Sequence, residues 1–272
     1  MDPCSHRIQR QWEGFWNSPD MAPPVSGEIK PFEPPEFPIF SKPGDLGNIP
    51  LGKRAEKFFV SGIESGSRYK MVAQNIQLIE EGVTRGEIDF ILKDQLKNEY
   101  VHLELAYKLY LCDEREGQGL ECWIGPNRRD RLVDKLEKMH SRQFPKLYHP
   151  GLASLLETQK IDVRRVVQAL YIPGQLFTPF YGDASISNLN SQAWAGTFMG
   201  MSDFKKMAQR SECFVPQKQD WMIDPHYCSC WKTGTRVIPE VEEKLSQSRS
   251  PMVWIKDRNN VVSRCFVVFW KS

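Results

Sequence analysis

The segment Gly86 to Leu111, GEIDFILKDQLKNEYVHLELAYKLYL, constrains the fold more than any other part of the chain. It predicts two β-strands joined by a polar turn. In the second predicted strand, Tyr100 to Leu111, the odd positions are nearly all apolar, whereas the even positions include His102 and Glu104. Because successive side chains of a strand point to opposite faces, the pattern predicts a buried strand that carries polar groups on one face.

A buried carboxylate is costly, so it normally pairs, becomes protonated or binds a metal ion. Asp89, on the preceding predicted strand, supplies a second carboxylate, and Lys108 supplies a cation. The local pattern fits a structural ion pair as well as it fits a catalytic acid pair. Both interpretations stay open on these residues alone.

Length, charge and cysteine content limit the class of protein. A chain of 272 residues can hold one large domain, or a domain with a substantial extension. The net charge of +2 means that attraction to nucleic acid requires a local basic patch. The seven scattered cysteines favour reduced thiols. With no long apolar run and no apolar leader, we expect a cytoplasmic protein without a membrane partner.

The N-terminal part predicts a short helix followed by an extended arm. Residues 6–16 space their aromatic side chains as one face of an amphipathic helix. Residues 19–50 contain too many prolines for a helix or an inner strand, and the interleaved aromatic residues predict an arm laid over the surface. These residues, 1–50, form the first predicted region.

A helix and a three-stranded antiparallel meander are predicted next. The helix begins after Asn48, a plausible cap, and carries Glu56 at the edge of its apolar stripe. Glu56 fits an ordinary boundary carboxylate as well as a functional one. Tyr69 to Glu80 and Glu87 to Leu92 alternate like strands, and they precede the strand that carries Glu104.

A second helix, from about Asn127 to Phe144, is predicted to carry a basic stripe. Its cations recur at helical spacing: Arg128, Arg131, Lys135, Lys138 and Arg142. A solvated face and a face that contacts nucleic-acid phosphates explain this stripe equally well.

The remaining residues predict a further strand and a β-rich C-terminal region. Val163 to Phe177 is a fourth strand broken near Pro173, and Phe204 to Ser211 forms a helix. Residues 252–270 predict a hairpin whose turn is Asp257 to Asn260. His226, Cys228 and Cys230 resemble a metal cluster but lack the second ligand pair of a zinc site. Nucleotide-binding glycine loops and hydrolase motifs are missing from the sequence.

Five segments occur in the order LGKRAEKFF, GEIDFIL, HLELAYKLYL, WIGPNRRDRLVDKLEKMHSRQF and ALYIPGQLF. Their order resembles the αβββαβ core of the PD-(D/E)XK nuclease superfamily. More closely, they resemble the bacterial domain-of-unknown-function family 1853, which is assigned to that superfamily. The resemblance covers residues 51–177 well and the rest of the chain loosely.

The resemblance implies a role for several residues. Asp89 matches the first acid of the motif, Glu104 the second acid, and Glu56 the helix glutamate that often completes the metal shell. These three carboxylates would hold Mg²⁺ or Mn²⁺, which prefer oxygen ligands. The ion would lower the pKa of a water molecule and stabilise charge on a phosphodiester.

The lysine of the motif has no direct counterpart, because Ala106 stands two positions after the second acid. Lys108 on the same predicted face is the first alternative, and Lys135 from the helix is the second. A third places His102 at the acid position and Glu104 at the lysine position. The fourth is an inactive site.

We therefore expect an α/β protein with a restriction-endonuclease-like αβββαβ core over residues 51–177. A Pro-rich N-terminal arm precedes the core, and a β-rich, Trp-rich extension, residues 178–272, packs on it. The expected function is Mg²⁺-dependent (or Mn²⁺-dependent) hydrolysis of nucleic acid, as a DNA nuclease or nicking enzyme, with Asp89, Glu104, Lys108 and Glu56 as catalytic residues. Arg128, Arg131, Lys135 and Lys138 would contact phosphates. The alternative is a catalytically inactive member of the fold that binds nucleic acid or protein.

Overall fold

The computed structural model describes residues 3–23, 27–36, 38–182, 186 and 188–270. Its α-helices are α1 (Pro3–Trp16), α2 (Leu51–Ser65), α3 (Leu132–Lys138), α4 (Ala153–Thr158), α5 (Met201–Ala208) and α6 (Ile238–Ser246). The strands are β1 (Lys30–Pro31), β2 (Tyr69–Glu80), β3 (Val83–Asp94), β4 (Glu99–Leu105), β5 (Lys108–Cys112), β6 (Trp123–Ile124), β7 (Val166–Tyr171), β8 (Gly174–Pro179), β9 (Trp194–Gly200), β10 (Glu212–Phe214), β11 (Lys232–Thr233), β12 (Met252–Lys256) and β13 (Val262–Val268).

The chain is a mixed α/β protein that forms two compact units, each built from discontinuous segments. The central unit comprises Ala22–Tyr107 and Asp134–Pro173. The terminal unit comprises Met1–Met21, Lys108–Val133 and Gly174–Ser272. The predicted core range, residues 51–177, therefore contributes to both units.

The sheet of the central unit has the strand order β1-β7-β4-β3-β2. Strands β2, β3 and β4 are antiparallel neighbours, and β7 runs parallel to β4. The predicted three-stranded meander is thus confirmed. In chain order, this unit has a helix, three strands, a helical segment and a further strand.

Helix α2 packs its apolar stripe into the core of the central unit. Phe58, Phe59 and Ile63 are almost completely buried, and the ring of Phe59 lies 4.9 Å from that of Phe90 on β3. Burying each such side chain stabilises the fold by about 1.5–3 kcal/mol. The helix begins at Leu51, and Pro50 occupies the N-cap position. The predicted cap at Asn48 is therefore wrong.

The N-terminal arm lies along the edge of the same sheet. Strand β1 pairs in parallel with β7, and the amide of Phe32 donates to the carbonyl of Leu170 at 3.0 Å. The ring of Phe32 is buried against Tyr69 and Tyr171, with centroids 5.1 and 5.4 Å away. The predicted extended arm is confirmed for these residues, while positions 24–26 and 37 lie outside the described residues.

The predicted strand from Tyr100 to Leu111 is two strands that belong to different sheets. Strand β4 ends at Leu105, and β5 begins at Lys108 in the sheet of the terminal unit. The fourth predicted strand, Val163 to Phe177, divides in the same way into β7 and β8. Pro173 cannot donate a ladder hydrogen bond. At Gly174, a Cβ atom would lie 2.1 Å from the carbonyl oxygen of Lys108, so only glycine permits this close parallel pairing.

The sheet of the terminal unit has the order β11-β10-β12-β13-β9-β8-β5-β6. Its inner strands β5, β8, β9 and β13 are parallel, and β12 and β13 form the predicted C-terminal hairpin. Helix α5 begins three residues before the predicted start at Phe204, which is fully buried. None of the helices in the described residues combines the length and the apolar character needed to cross a membrane.

Asp94 is expected to stabilise the turn between β3 and β4. The side chain is buried, and Oδ1 accepts from the amides of Leu96 and Lys97 at 2.9 and 3.1 Å. Burial alone would raise the pKa of this carboxyl, but the Lys97 amide and the Arg68 guanidinium lower it below the ordinary value. Asp94→Asn should reduce the free energy of unfolding by about 1–3 kcal/mol in urea at pH 7. Equal stability of this variant and the exposed control Glu64→Gln would contradict the assignment.

Candidate active site

Asp89 and Glu104 lie opposite one another on adjacent strands of the central unit. In the antiparallel ladder, Phe90 pairs with Leu103 and Ile91 with His102, which places Asp89 one step further along, across from Glu104. An oxygen of Asp89 accepts from the amide of Leu105 at 3.0 Å. The register of the two strands therefore brings both carboxylates to one face of the sheet.

Glu104 is fully buried and held from two sides. Its Oε1 lies 3.1 Å from Nε2 of His102, and Oε2 accepts from Nε2 of Gln143 at 2.9 Å. The side-chain Nε2 of Gln168 donates to the carbonyl of Phe144 at 2.7 Å, and the same Nε2 lies 3.2 Å from Nδ1 of His102. Since Nδ1 then accepts a hydrogen bond, Nε2 carries the proton and donates it to Glu104. The carboxylate of Glu104 thus has a fixed orientation.

The environment of Asp89 disfavours its negative charge. Burial and then the neighbouring carboxylate of Glu104 raise the pKa of Asp89 from 3.8 to about 7, although the Leu105 amide and Lys135 act in the opposite direction. Two close carboxylates resist simultaneous ionisation. A carboxyl that changes charge near neutral pH beside a fixed carboxylate is typical of functional sites.

The raised pKa of Asp89 predicts a specific dependence of stability on pH. Between pH 3.8 and about 7 the folded chain retains a proton that the unfolded chain has lost. The stability from this residue is therefore present below pH 3.8 and is lost as pH rises through about 7. Above neutral pH, Asp89→Asn should be more stable than the wild type by on the order of 1–3 kcal/mol. Urea unfolding of both proteins at several pH values measures this, and parallel stability curves would contradict it.

Glu56 lies near the acid pair but is joined to a lysine. Its Oε2 accepts from Nζ of Lys53 at 2.7 Å, and the same Nζ lies 3.6 Å from Glu87. Burial raises the pKa of Glu56, with Lys53 opposing this effect. The charge of Glu56 in turn raises the pKa of Asp89. Glu56 therefore adds to the negative field at the site.

Lys135 supplies positive charge to the same site. It lies on α3 in the central unit, is half-buried, and lowers the pKa of both Asp89 and Glu56. Lys135 is the second predicted alternative to the missing lysine of the motif.

Lys108 has different surroundings. It begins β5 in the terminal unit, where its Nζ donates to Oδ2 of Asp130 at 2.6 Å. The prediction that Lys108 shares a strand face with Glu104 is wrong, because β4 ends before Lys108. Its predicted catalytic role receives no support from this ion pair.

The predicted basic stripe does not lie on one helix. Helix α3 is shorter than expected, because Arg128 adopts a left-handed turn with φ 56° and Arg131 forms a β-bridge with Ile124. Arg128 also pairs with Asp113 at 2.9 Å. Lys135 and Lys138 remain on α3 as predicted. Their contact with phosphates stays a prediction.

Asp89 and Glu104 are the carboxylates of the site that could contribute to holding a metal ion. Among the residues that the structure describes, no three His, Cys, Asp or Glu side chains lie close enough together to hold a metal ion. The prediction that Asp89, Glu104 and Glu56 together form a metal site is therefore wrong for the structure as described. A pair of carboxylates is nevertheless a usual Mg²⁺ site, since that ion keeps several water ligands. Zinc takes three or four protein ligands.

Gln143, Lys146 and Gln168 are site residues that the sequence did not reveal. Gln143 ends a π-helical turn, Met139–Gln143, which follows α3, and its Oε1 accepts from Nζ of Lys146. The same Nζ donates to the carbonyl of Glu87 at 3.3 Å. An amide that orients a buried carboxylate has no motif of its own. The only signal in the sequence was the buried Glu104, which required donors.

An open groove of about 580 Å³ in the central unit includes Glu56 and Glu87. Its cations are Lys42, Lys53 and Lys57. Glu56 therefore lines the groove and also acts on the charge of Asp89.

A family model, described as a domain of unknown function (DUF1853), matches residues 32–268. The matched range includes Asp89, Glu104 and Lys135. No curated protein and no solved structure matches the chain. Because the family model covers most of the 272 residues, the chain belongs to the DUF1853 family.

Proposed function

We propose that the chain is a member of the PD-(D/E)XK nuclease superfamily that hydrolyses phosphodiester bonds of nucleic acid, DNA first, with Mg²⁺. The observation that carries this proposal is the acid pair. Asp89 and Glu104 lie opposite one another, and the pKa of Asp89 is raised by burial and by Glu104. The order of helix, three strands, helical segment and strand in the central unit supports it.

Each residue has a distinct part in this proposal. Asp89 and Glu104 would hold the ion, which acidifies a water molecule and stabilises charge on the phosphoryl oxygens when it is bound. His102 and Gln143 orient Glu104 through the hydrogen bonds at 3.1 and 2.9 Å. Lys135 offsets negative charge beside the acid pair. The lysines of the groove would attract the phosphate backbone without reading bases.

Metal binding and cleavage by the full chain test the proposal. Mn²⁺ and Mg²⁺ binding is measured by calorimetry at pH 8, where Asp89 is ionised, and again at pH 6. Cleavage is measured on supercoiled, linear and branched DNA and on RNA. We expect weaker metal binding at pH 6, because the proton on Asp89 competes with the ion. Absence of both metal binding and cleavage at pH 8 would refute the proposal.

An inactive binding module is the second candidate. It is favoured by the contacts of Glu104, since both carboxylate oxygens already have hydrogen-bond partners. In that case, DNA binds with no effect of Mg²⁺, and Glu104 serves only the core. Retained DNA binding without metal binding identifies this candidate.

A further inference from the structure

A second groove, of about 390 Å³, lies in the terminal unit. Its lining includes the exposed cations Arg129, Lys218 and Arg249 and the half-buried Lys244. Among its described lining residues, Glu243 is the one carboxylate. We call its buried lining residues, including Trp221 and Ser250, the floor of the groove and its cations the rim. Four cations against one carboxylate favour an anionic ligand.

Two buried donors on the floor have no acceptor. Trp221 and Ser250 are 8% and 2% exposed, and neither Nε1 of Trp221 nor Oγ of Ser250 has a hydrogen-bond partner among the described residues. Their backbones are fixed, since the amide of Ser250 donates to Asn127 and the carbonyl of Trp221 accepts from Gln175. A buried donor without an acceptor is costly, so each favours a ligand with acceptor oxygens.

The rim cations retain charge for a ligand. No carboxylate in the described part of the chain forms an ion pair with Arg129 or Arg249, and Lys244 approaches Glu240 only to 3.8 Å. The backbone carbonyl of Lys244, in the last turn of α6, would repel an anion if it had no hydrogen-bond donor. That carbonyl accepts from the amides of Gln247 and Arg249.

We propose that this groove binds a phosphate group. Arg129 and Arg249 provide charge-assisted hydrogen bonds from the rim, and Ser250 and Trp221 provide neutral donors from the floor. Phosphate offers several acceptor oxygens to these donors, whereas a carboxylate offers two. The site does not depend on the acid pair.

Binding to the full chain is measured by calorimetry with three probes: inorganic phosphate, thymidine 5′-monophosphate, and a thymidine tetranucleotide that has only internal phosphodiesters. The double variant Arg129→Gln with Arg249→Gln should weaken binding at least tenfold, or about 1.4 kcal/mol. Ser250→Ala should weaken it by about 2–10-fold. Because Oγ of Ser250 is a buried donor with no acceptor in the fold, the urea midpoint of this variant should not fall.

A control variant separates this site from general electrostatics. Arg236→Gln removes an exposed cation of the same unit and should leave binding unchanged. Tighter binding of the tetranucleotide supports a nucleic-acid backbone as the source of the phosphate. Tighter binding of the monophosphate supports a small phosphorylated ligand. No saturable binding of any probe in the millimolar range, or an equal loss in Arg236→Gln, would overturn the proposal.

Discussion

Asp89→Asn is expected to abolish Mn²⁺ binding and metal-dependent cleavage while it leaves the chain folded. Asn keeps the size of the side chain and can still accept from the Leu105 amide, which now lies 3.0 Å from Oδ2. It removes the charge that the ion requires. Loss of one electrostatic group at a reacting centre costs about 10²–10³ in rate. Loss of a direct metal ligand should exceed this range.

The measurement combines calorimetry with Mn²⁺ and cleavage assays at pH 8, beside the control Glu157→Gln. That control removes an exposed carboxylate from α4 of the same unit. Undiminished cleavage by Asp89→Asn would end the assignment of the acid pair as a metal site.

Glu104→Gln should also lose cleavage, but its stability should change in the opposite direction to that of Asp89→Asn. A glutamine amide would turn its NH₂ toward one of two donors, His102 or Gln143. A buried donor that faces a donor costs about 1–3 kcal/mol. The pair of variants therefore separates the two acids, since loss of Asp89 removes charge repulsion whereas loss of Glu104 disrupts a buried network.

Strand periodicity predicted that His102 and Glu104 lie on one face of a buried strand. A period of two puts Glu104 and His102 on one face, and a tight turn between β3 and β4 fixes the register that brings Asp89 across from Glu104. Both facts follow from short-range pattern. The same holds for α2, whose apolar stripe sets which face is buried.

Long-range pairing decided what the sequence did not predict. Nothing local marks the end of β4 at Leu105, because the apolar alternation continues through Leu111. The chain passes from one sheet to the other because Lys108, at the start of β5, pairs with Gly174, the first residue of β8. Likewise, the β-bridge of Arg131 with Ile124 shortens α3, although the cations recur at helical spacing.

Two variants test which lysine replaces the missing lysine of the motif, Lys135 or Lys108. Lys135→Ala should lower cleavage by about 10²–10³, since it removes the positive charge that opposes the raised pKa of Asp89. Metal binding should persist, because Asp89 and Glu104 are unchanged. The pKa of Asp89 should rise further, so the midpoint of the pH–rate profile should shift to higher pH.

Lys108→Ala is the matched control, because it removes a lysine of the same charge from the other unit. Its ion pair with Asp130 is partly exposed, so its loss should cost about 0–1 kcal/mol of stability. Cleavage should remain at the wild-type level. If Lys108→Ala abolishes cleavage and Lys135→Ala retains it, the ammonium belongs to Lys108. The acid pair would then work with a lysine from β5, and our assignment of Lys135 would be wrong.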